Sequence, residues 1–213
     1  MKADTRPGLI ETMRLRRDGS VDRLPLHLSR LECSARALGI RLVAERVEST
    51  IRSLPLTGQD QRLRLELPAD GRLQVTTFPL VETDPEKPWR LAIAATRLDA
   101  GDQLLRHKTT RRDTYVQARQ EFPDDRADEV LLLNGKDEVC EGTITSVFVQ
   151  HDAESVLKTP HLNCGLLRGV LRQQLLDEGR AEETVLKAGD LRTARGLFVG
   201  NSLRGLLPAV LAD

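Results

Sequence analysis

The stretch Glu82-Thr83-Asp84-Pro85-Glu86-Lys87-Pro88 constrains the fold of this chain more than any other. Its two prolines remove backbone donors and its charged residues offer nothing to bury, so neither a helix nor a core strand is expected to cross it. The chain should therefore form two parts, with residues 1–81 as a small α/β domain, 82–88 as a linker and 89–213 as a larger domain. With 213 residues in all, each part can bury a core.

Apolar spacing gives the two parts different characters. Leu9–Leu15 reads as a strand, followed by an Asp18-Gly19 turn. Leu28, Leu31, Ala35 and Leu38 recur at helical spacing through 26–38, and Gly39 is a natural stop. Val43, Val47, Ile51 and Leu54 mark a second helix, ended by Pro55 and Gly58. Leu63, Leu65 and Leu67 alternate with charged residues and 73–78 returns after Asp70-Gly71, the pattern of a hairpin. Beyond the linker, strands are expected at 90–95, 129–133, 138–149, 197–199 and 206–211, with helices at 110–119, 167–178 and 188–194. Such irregular alternation suits an α+β arrangement or a distorted barrel better than a doubly wound sheet. The sequence has no GxGxxG after a strand and no GxxxxGK[ST], so the common nucleotide loops are absent.

Lys+Arg and Asp+Glu each number 32, so no net charge steers the chain toward nucleic acid or an anionic membrane. A small-molecule ligand, anionic in part, is the better expectation. Cys33, Cys140 and Cys164 lie far apart, and His27, His107, His151 and His161 form no HxxxH pair. Neither a disulfide framework nor a bound metal is expected. The opening MKADTRPGLIETMR is too polar for a signal peptide and no apolar run reaches membrane-spanning length. A cytoplasmic setting follows as the expectation.

Four segments carry candidate chemistry. Lys108, in His107-Lys108-Thr109-Thr110, reads alone as a solvated lysine at a helix start. A helix amino terminus disfavours a cation, however, and a lysine that loses its proton is what a Schiff base needs. Glu141, in Cys140-Glu141-Gly142-Thr143, reads alone as a solvated hairpin acid before an apolar strand. Gly165-Leu166-Leu167-Arg168-Gly169-Val170-Leu171 leads into a helix and is either plainly capped or an anion site made of exposed N–H groups. Asn201-Ser202-Leu203-Arg204-Gly205 is either a turn or a loop lining a cleft. Elsewhere, Phe122 and Phe148 should enter cores and Arg111-Arg112 should be a solvated helix face. Cys33 and Cys140 should be small buried residues.

Taken together and in order, these segments resemble the class IV aminotransferases, the fold-type IV pyridoxal-phosphate enzymes. The resemblance rests on HKTTRRDTY at 107–115, EGTITSVF at 141–148, GLLRGV at 165–170 and FVGNSLRGLLP at 198–208. Ile10-Glu11-Thr12-Met13-Arg14 and His27-Leu28-Ser29-Arg30-Leu31 are similar to the family's first strand and first helix. The resemblance implies a two-domain fold in which the larger domain, a distorted barrel, binds pyridoxal 5′-phosphate. Lys108 would hold the cofactor as a Schiff base and move protons at the substrate α-carbon. Glu141 would pair with the ring nitrogen and keep it protonated. Arg30 would clamp the phosphate, the N–H groups of Val170 and Leu171 with the Ser202 hydroxyl would complete its cup, and Leu166 would pack on one ring face.

Within the family, 198–205 and 9–14 look most like the 4-amino-4-deoxychorismate lyases, above all those fused behind aminodeoxychorismate synthase. Thr12, Arg14, Asn201 and Arg204 would then face the substrate, with Thr12 as proton donor to the departing enol-pyruvate carbon. The resemblance thus implies release of 4-aminobenzoate and pyruvate in folate precursor synthesis, with a class IV aminotransferase acting on branched-chain or D-amino acids as the alternative. A silent cofactor carrier or small-anion module is a third reading. The family's members also imply a homodimer, and the fused lyases point to a synthase partner. Stand-alone members have an extra leading strand with a Tyr-Gly-Asp-Gly-like turn, and nothing in 1–8 matches it.

Overall fold

A computed structural model describes residues 6–153 and 156–212. The chain forms two compact units. The first takes the chain as far as Glu82 together with His107–Arg111, and the second takes Thr83–Arg106 and Arg112 onward.

The first unit is a three-stranded antiparallel sheet covered by helices. Its strands are β1 (Leu9–Leu15), β2 (Gln61–Leu67) and β3 (Gln74–Pro79), in the order β1-β2-β3. The register sets Leu9 against Leu67, Glu11 against Leu65 and Met13 against Leu63. Alternation therefore puts the leucines and Met13 on one face and Thr12, Arg14, Arg62 and Arg64 on the other. The apolar face packs against α1 (Leu24–Leu38) and α2 (Ala44–Arg52) through Leu31, Ala35, Val47 and Ile51. Pro25 opens α1, and Gly39, at φ 63°, closes it in the left-handed conformation that the sequence pattern anticipates. Cys33 departs from expectation: it lies on the solvent side of α1 and is exposed.

The second unit is an eight-stranded sheet whose strands are β4 (Trp89–Leu98), β5 (Glu129–Asn134), β6 (Val139–Gly142), β7 (Ser146–Gln150), β8 (Leu157–Pro160), β9 (Ala181–Thr184), β10 (Gly196–Asn201) and β11 (Gly205–Leu211). They lie in the order β6-β5-β4-β11-β10-β7-β8-β9. Its two edges come together, because Glu138 bridges Lys187 and the Val139 N–H donates to the Leu186 carbonyl at 2.8 Å. The sheet is thus curled into the distorted barrel the sequence suggests. Leu91, Leu131, Val147, Val149 and Val199 fill one buried cluster. Helix α3 (Asp113–Gln120) brings Ala118 and Tyr115 onto a second, with Leu98, Val130, Leu132 and Leu166. Helix α4 (Val170–Asp177) packs Leu171 and Leu175 against Phe148, and α5 (Ala188–Thr193) adds Leu191 to the first cluster. Phe122 is partly buried beside the second cluster.

Several elements differ from the sequence expectation, among them the helix expected from 167, which begins at Val170. The strand expected over 138–149 is broken into β6 and β7 by the carboxylate of Glu129, which is 1% exposed. That carboxylate accepts from its own neighbour Val130 N at 2.9 Å, from Thr143 N and Oγ1 at 3.1 and 2.6 Å, from Ile144 N at 3.0 Å and from Thr145 Oγ1 at 2.8 Å. A buried anion needs such donors, and collecting them pulls 143–145 out of the ladder. Helix α3 begins at Asp113 rather than at 110, because Thr109 and Thr110 bond to the first unit's β1. Strands β8 and β9 were not anticipated: at four residues each, LKTP and AEET carry no legible alternation.

Gly142 is where this arrangement is tightest. A methyl group there would sit 2.5 Å from Thr145 Oγ1 and 2.8 Å from the Glu129 carboxyl. Gly142→Ala should therefore lower unfolding stability by about 1–3 kcal/mol, seen as a lower denaturant midpoint at unchanged slope. An unchanged midpoint would show that the loop relaxes freely.

Candidate active site

In the first unit the chemistry gathers at the free edge of β1. The segment 107–111 runs antiparallel to the start of that strand. Ile10 N donates to Lys108 O at 2.8 Å, Thr110 N to Gly8 O at 2.9 Å and Gly8 N to Thr110 Oγ1 at 3.0 Å, with Leu9 bridged to Thr109. His107 Nδ1 lies 2.9 Å from Ser34 Oγ and ties the same segment to α1. Thr109 follows Leu9 to the buried face, so Lys108 follows Ile10, Thr12 and Arg14 to the other. The expectation that Lys108 heads a helix is thereby corrected. It lies in an extended bridge five residues before α3, and a helix dipole plays no part in its chemistry.

Arg14 is held by two carboxylates. Its Nε is 2.7 Å from Asp60, and a terminal nitrogen bonds Glu82. Arg30 lies on the opposite side of the sheet, on α1, in a bidentate pair with Glu11: Nε to Oε1 at 2.8 Å and Nη2 to Oε2 at 2.5 Å. The side edge of its guanidinium is thereby committed to Glu11. His27 Nδ1 meets the same Glu11 at 2.6 Å, and since an ionised carboxylate only accepts, that nitrogen carries the hydrogen. Glu11 is 2% exposed and His27 1%. Burial alone would raise the Glu11 pKa, but the Arg30 charge and the hydrogen bonds from His27 and Arg30 outweigh it and bring it to about 2. Burial pushes His27 below its usual value, against the pull of Glu11.

In the second unit Glu141 is the last residue but one of β6, 4% exposed. Its Oε1 accepts from Tyr115 Oη at 2.7 Å and from Leu167 N at 3.1 Å. Glu141 is thus a buried, oriented acid rather than a solvated one. Arg112 stacks over the Tyr115 ring at 4.5 Å and donates to the Thr143 carbonyl. It precedes α3 and is half-buried, which corrects its assignment to a solvated helix face; Arg111 is exposed. Leu166 has no exposed surface and belongs to the core beside Ala94 and Val130. A side chain with no surface offers none to a cofactor ring.

Helix α4 begins at Val170 after Gly169, which supplies no side-chain cap. The first N–H groups of a helix, here those of Val170 and Leu171, lack partners within it. Gly169 lets this end lie close to β7: a methyl group there would be 2.5 Å from Ser146 Oγ. Ser146 pairs with Gly200 on β10, and the Asn201–Gly205 turn that carries Ser202, 7% exposed, starts there. Asn201 ties two loops, donating to the Ile144 carbonyl at 3.2 Å and accepting from Leu203 N and Arg204 N at 3.0 Å each. The Arg204 guanidinium lies 5.5 Å from the Trp89 ring centroid. The groups of the second unit fit part of a phosphorylated pyridine: N–H groups and a hydroxyl for the phosphate, and an anion for a ring N–H. Among the described residues, no group of three His, Cys, Asp or Glu could hold a metal, and no helix is long and apolar enough to cross a membrane.

The sequence profile of the family described as "Amino-transferase class IV" matches residues 8–211. The chain belongs to that family. Class IV enzymes depend on pyridoxal phosphate, so the protein is a pyridoxal-phosphate enzyme acting on a small molecule. A Schizosaccharomyces pombe protein named "Putative aminodeoxychorismate lyase" is 29% identical over 202 residues, 91% of this chain and 86% of its own length. The structure of a "Putative amino-acid aminotransferase" from Mesorhizobium loti superposes with a TM-score of 0.93 at 48% identity, over 97% of this chain and all of that one. A Mycobacterium tuberculosis "hypothetical aminotransferase, PLP-bound form" shares the fold, with a TM-score of 0.81 at 21% identity over 96% of this chain and 81% of that one.

Sequence reasoning on this class IV chain gave no site role to Glu11, His27, Tyr115 or Glu129, and read Arg112 as a solvated helix face. Glu11, His27 and Tyr115 lie inside recognised motifs, but a motif names positions and not the bonds between them. The Glu11–His27–Arg30 cluster has a pH signature. The contribution of Glu11 is complete above its ordinary value of 4.5 and is lost as pH falls toward 2. His27 is held neutral in the fold, while the unfolded chain takes up its proton below about 6.5, so this group too lowers stability as pH falls. Both slopes have the same sign. The denaturation midpoint of the first unit should decline steadily from neutral pH to about pH 4, more gently in His27→Gln. A midpoint rising over that interval would refute the assignment of charges.

Proposed function

We propose that the protein is a pyridoxal-phosphate-dependent lyase converting 4-amino-4-deoxychorismate to 4-aminobenzoate and pyruvate, a step of folate precursor synthesis. The observation that carries this reading is the shared face of Lys108 and Thr12 on the sheet edge of the first unit. A lyase moves protons at two substrate positions, and an aminotransferase has no leaving group to protonate. Pyridoxal phosphate, when bound, would supply an electron sink for the substrate α-carbon. Lys108 removes that proton, and Thr12 gives one to the departing enol-pyruvate carbon. Glu141 keeps a proton on the ring nitrogen. Val170 and Leu171 N–H, Ser202 and Arg30 would hold the phosphate, and Arg204 would meet a substrate carboxylate. The similarity to the fission-yeast protein across most of both chains supports the same reading.

A second reading, an amino-acid aminotransferase, has its own observation. Arg14 already serves Asp60 and Glu82, which leaves one cation fewer for a substrate with two carboxylates. The Mesorhizobium likeness supports it as well.

One assay separates the two. Holoenzyme given aminodeoxychorismate and no keto acid should release pyruvate in step with 4-aminobenzoate, and Lys108→Ala should lose both turnover and the visible absorption of the bound cofactor. A requirement for an acceptor such as 2-oxoglutarate, without pyruvate, would replace the lyase with the aminotransferase. A homodimer in the cytoplasm belongs to the same proposal, and sedimentation of a fully active monomer would remove the dimer from it.

A further inference from the structure

We propose that Tyr115 is a positioning residue for Glu141, its hydroxyl working with the Leu167 N–H to favour the anionic carboxylate, so that a proton shared with a ring nitrogen stays on the nitrogen. This inference rests on the reading above, in which Glu141 is the partner of that nitrogen.

The geometry is specific. Tyr115 Oη at 2.7 Å and Leu167 N at 3.1 Å both reach Oε1, so one oxygen of the carboxylate is fixed from α3 and from the segment that leads into α4. Two donors on one oxygen set the plane of the group and withdraw charge from it. An ionised carboxylate only accepts, so the phenol must be the donor. Burial first, and then the charge of Glu141, raise the Tyr115 pKa, so the hydroxyl keeps its proton throughout the working range. Arg112 completes the arrangement by covering the Tyr115 ring at 4.5 Å while holding the carbonyl of Thr143, two residues after Glu141. The start of α3 and the loop beyond Glu141 are thus tied by one side chain. A tyrosine kept only for packing would need no such alignment, since the ring already lies on the apolar cluster beside Leu98 and Ala118.

The chain has a single tyrosine, which makes the test clean. Tyr115→Phe keeps the ring and removes the donor. In holoenzyme loaded with ring-nitrogen-labelled cofactor, the nitrogen resonance should move toward the unprotonated form. The kcat should fall about tenfold to a hundredfold while KM stays within about twofold, the loss of one hydrogen bond to a charged group. Global replacement of tyrosine by 3-fluorotyrosine alters this residue alone, keeps the fold and strengthens the donor, so the resonance should move the opposite way. That arm also serves if Tyr115→Phe does not fold. A Tyr115→Phe enzyme matching the wild type in resonance and kcat, or a fluorotyrosine enzyme whose resonance does not move, overturns the inference. Glu141→Gln separates this from failure of the underlying reading. If Glu141→Gln changes both measurements and Tyr115→Phe changes neither, the inference alone fails. If Glu141→Gln changes neither, the ring nitrogen has another partner and both fall.

Discussion

The carboxylate of Glu129 sits in the interior of the second unit with the Thr143–Thr145 loop wrapped around it, and the rest of the site is built on that loop. An anion placed where water cannot reach must collect hydrogen bonds or lose its charge, and here five donors converge on it. To supply them the chain leaves the sheet after Gly142 and returns at Ser146. That detour leaves Glu141 near the end of one strand and Ser146 at the start of the next, against the first turn of α4. Arg112 and Asn201 then bond the loop's outer carbonyls, at Thr143 and Ile144, and bring α3 and the 201–205 turn into the same framework.

Glu11 and Glu141 are buried by the same logic with different partners. Glu11 is balanced by Arg30 and steadied by His27, making a cluster whose charge is nearly neutral inside the first unit. Removing one member of such a cluster strands the others, which typically costs about 3–5 kcal/mol, so the group acts as one structural piece. Glu141 instead has a phenol and a backbone N–H on its Oε1. Polar donors such as these fix the orientation of a carboxylate.

The same economy appears in the arginines. Arg14, Arg30, Arg112 and Arg204 all look alike on the page, yet one is held by two acids, one is bidentate to a buried acid, one lies over a tyrosine and one over a tryptophan. What each can offer a ligand differs accordingly. An arginine paired with acids is held through its charge, whereas one stacked on an aromatic ring is held through its planar face.

The sequence by itself determined the small sheet and its helices, because their signals are local. Leucines at every second position from Leu63 to Leu67 and a glycine after Leu38 require nothing distant to be read. It also determined the family, through motifs whose order survives along the chain, and with it the candidate lysine and acid. Only the tertiary structure decided where Lys108 lies, since the segment that carries it is held by β1, about a hundred residues earlier. It likewise decided the break between β6 and β7, the exposure of Cys33, the core placement of Leu166 and the pairing of Tyr115 with Glu141. Each of these depends on which polar group meets which after folding. Hydrogen bonds and ion pairs are satisfied across long sequence separations, and no periodicity in the chain records them.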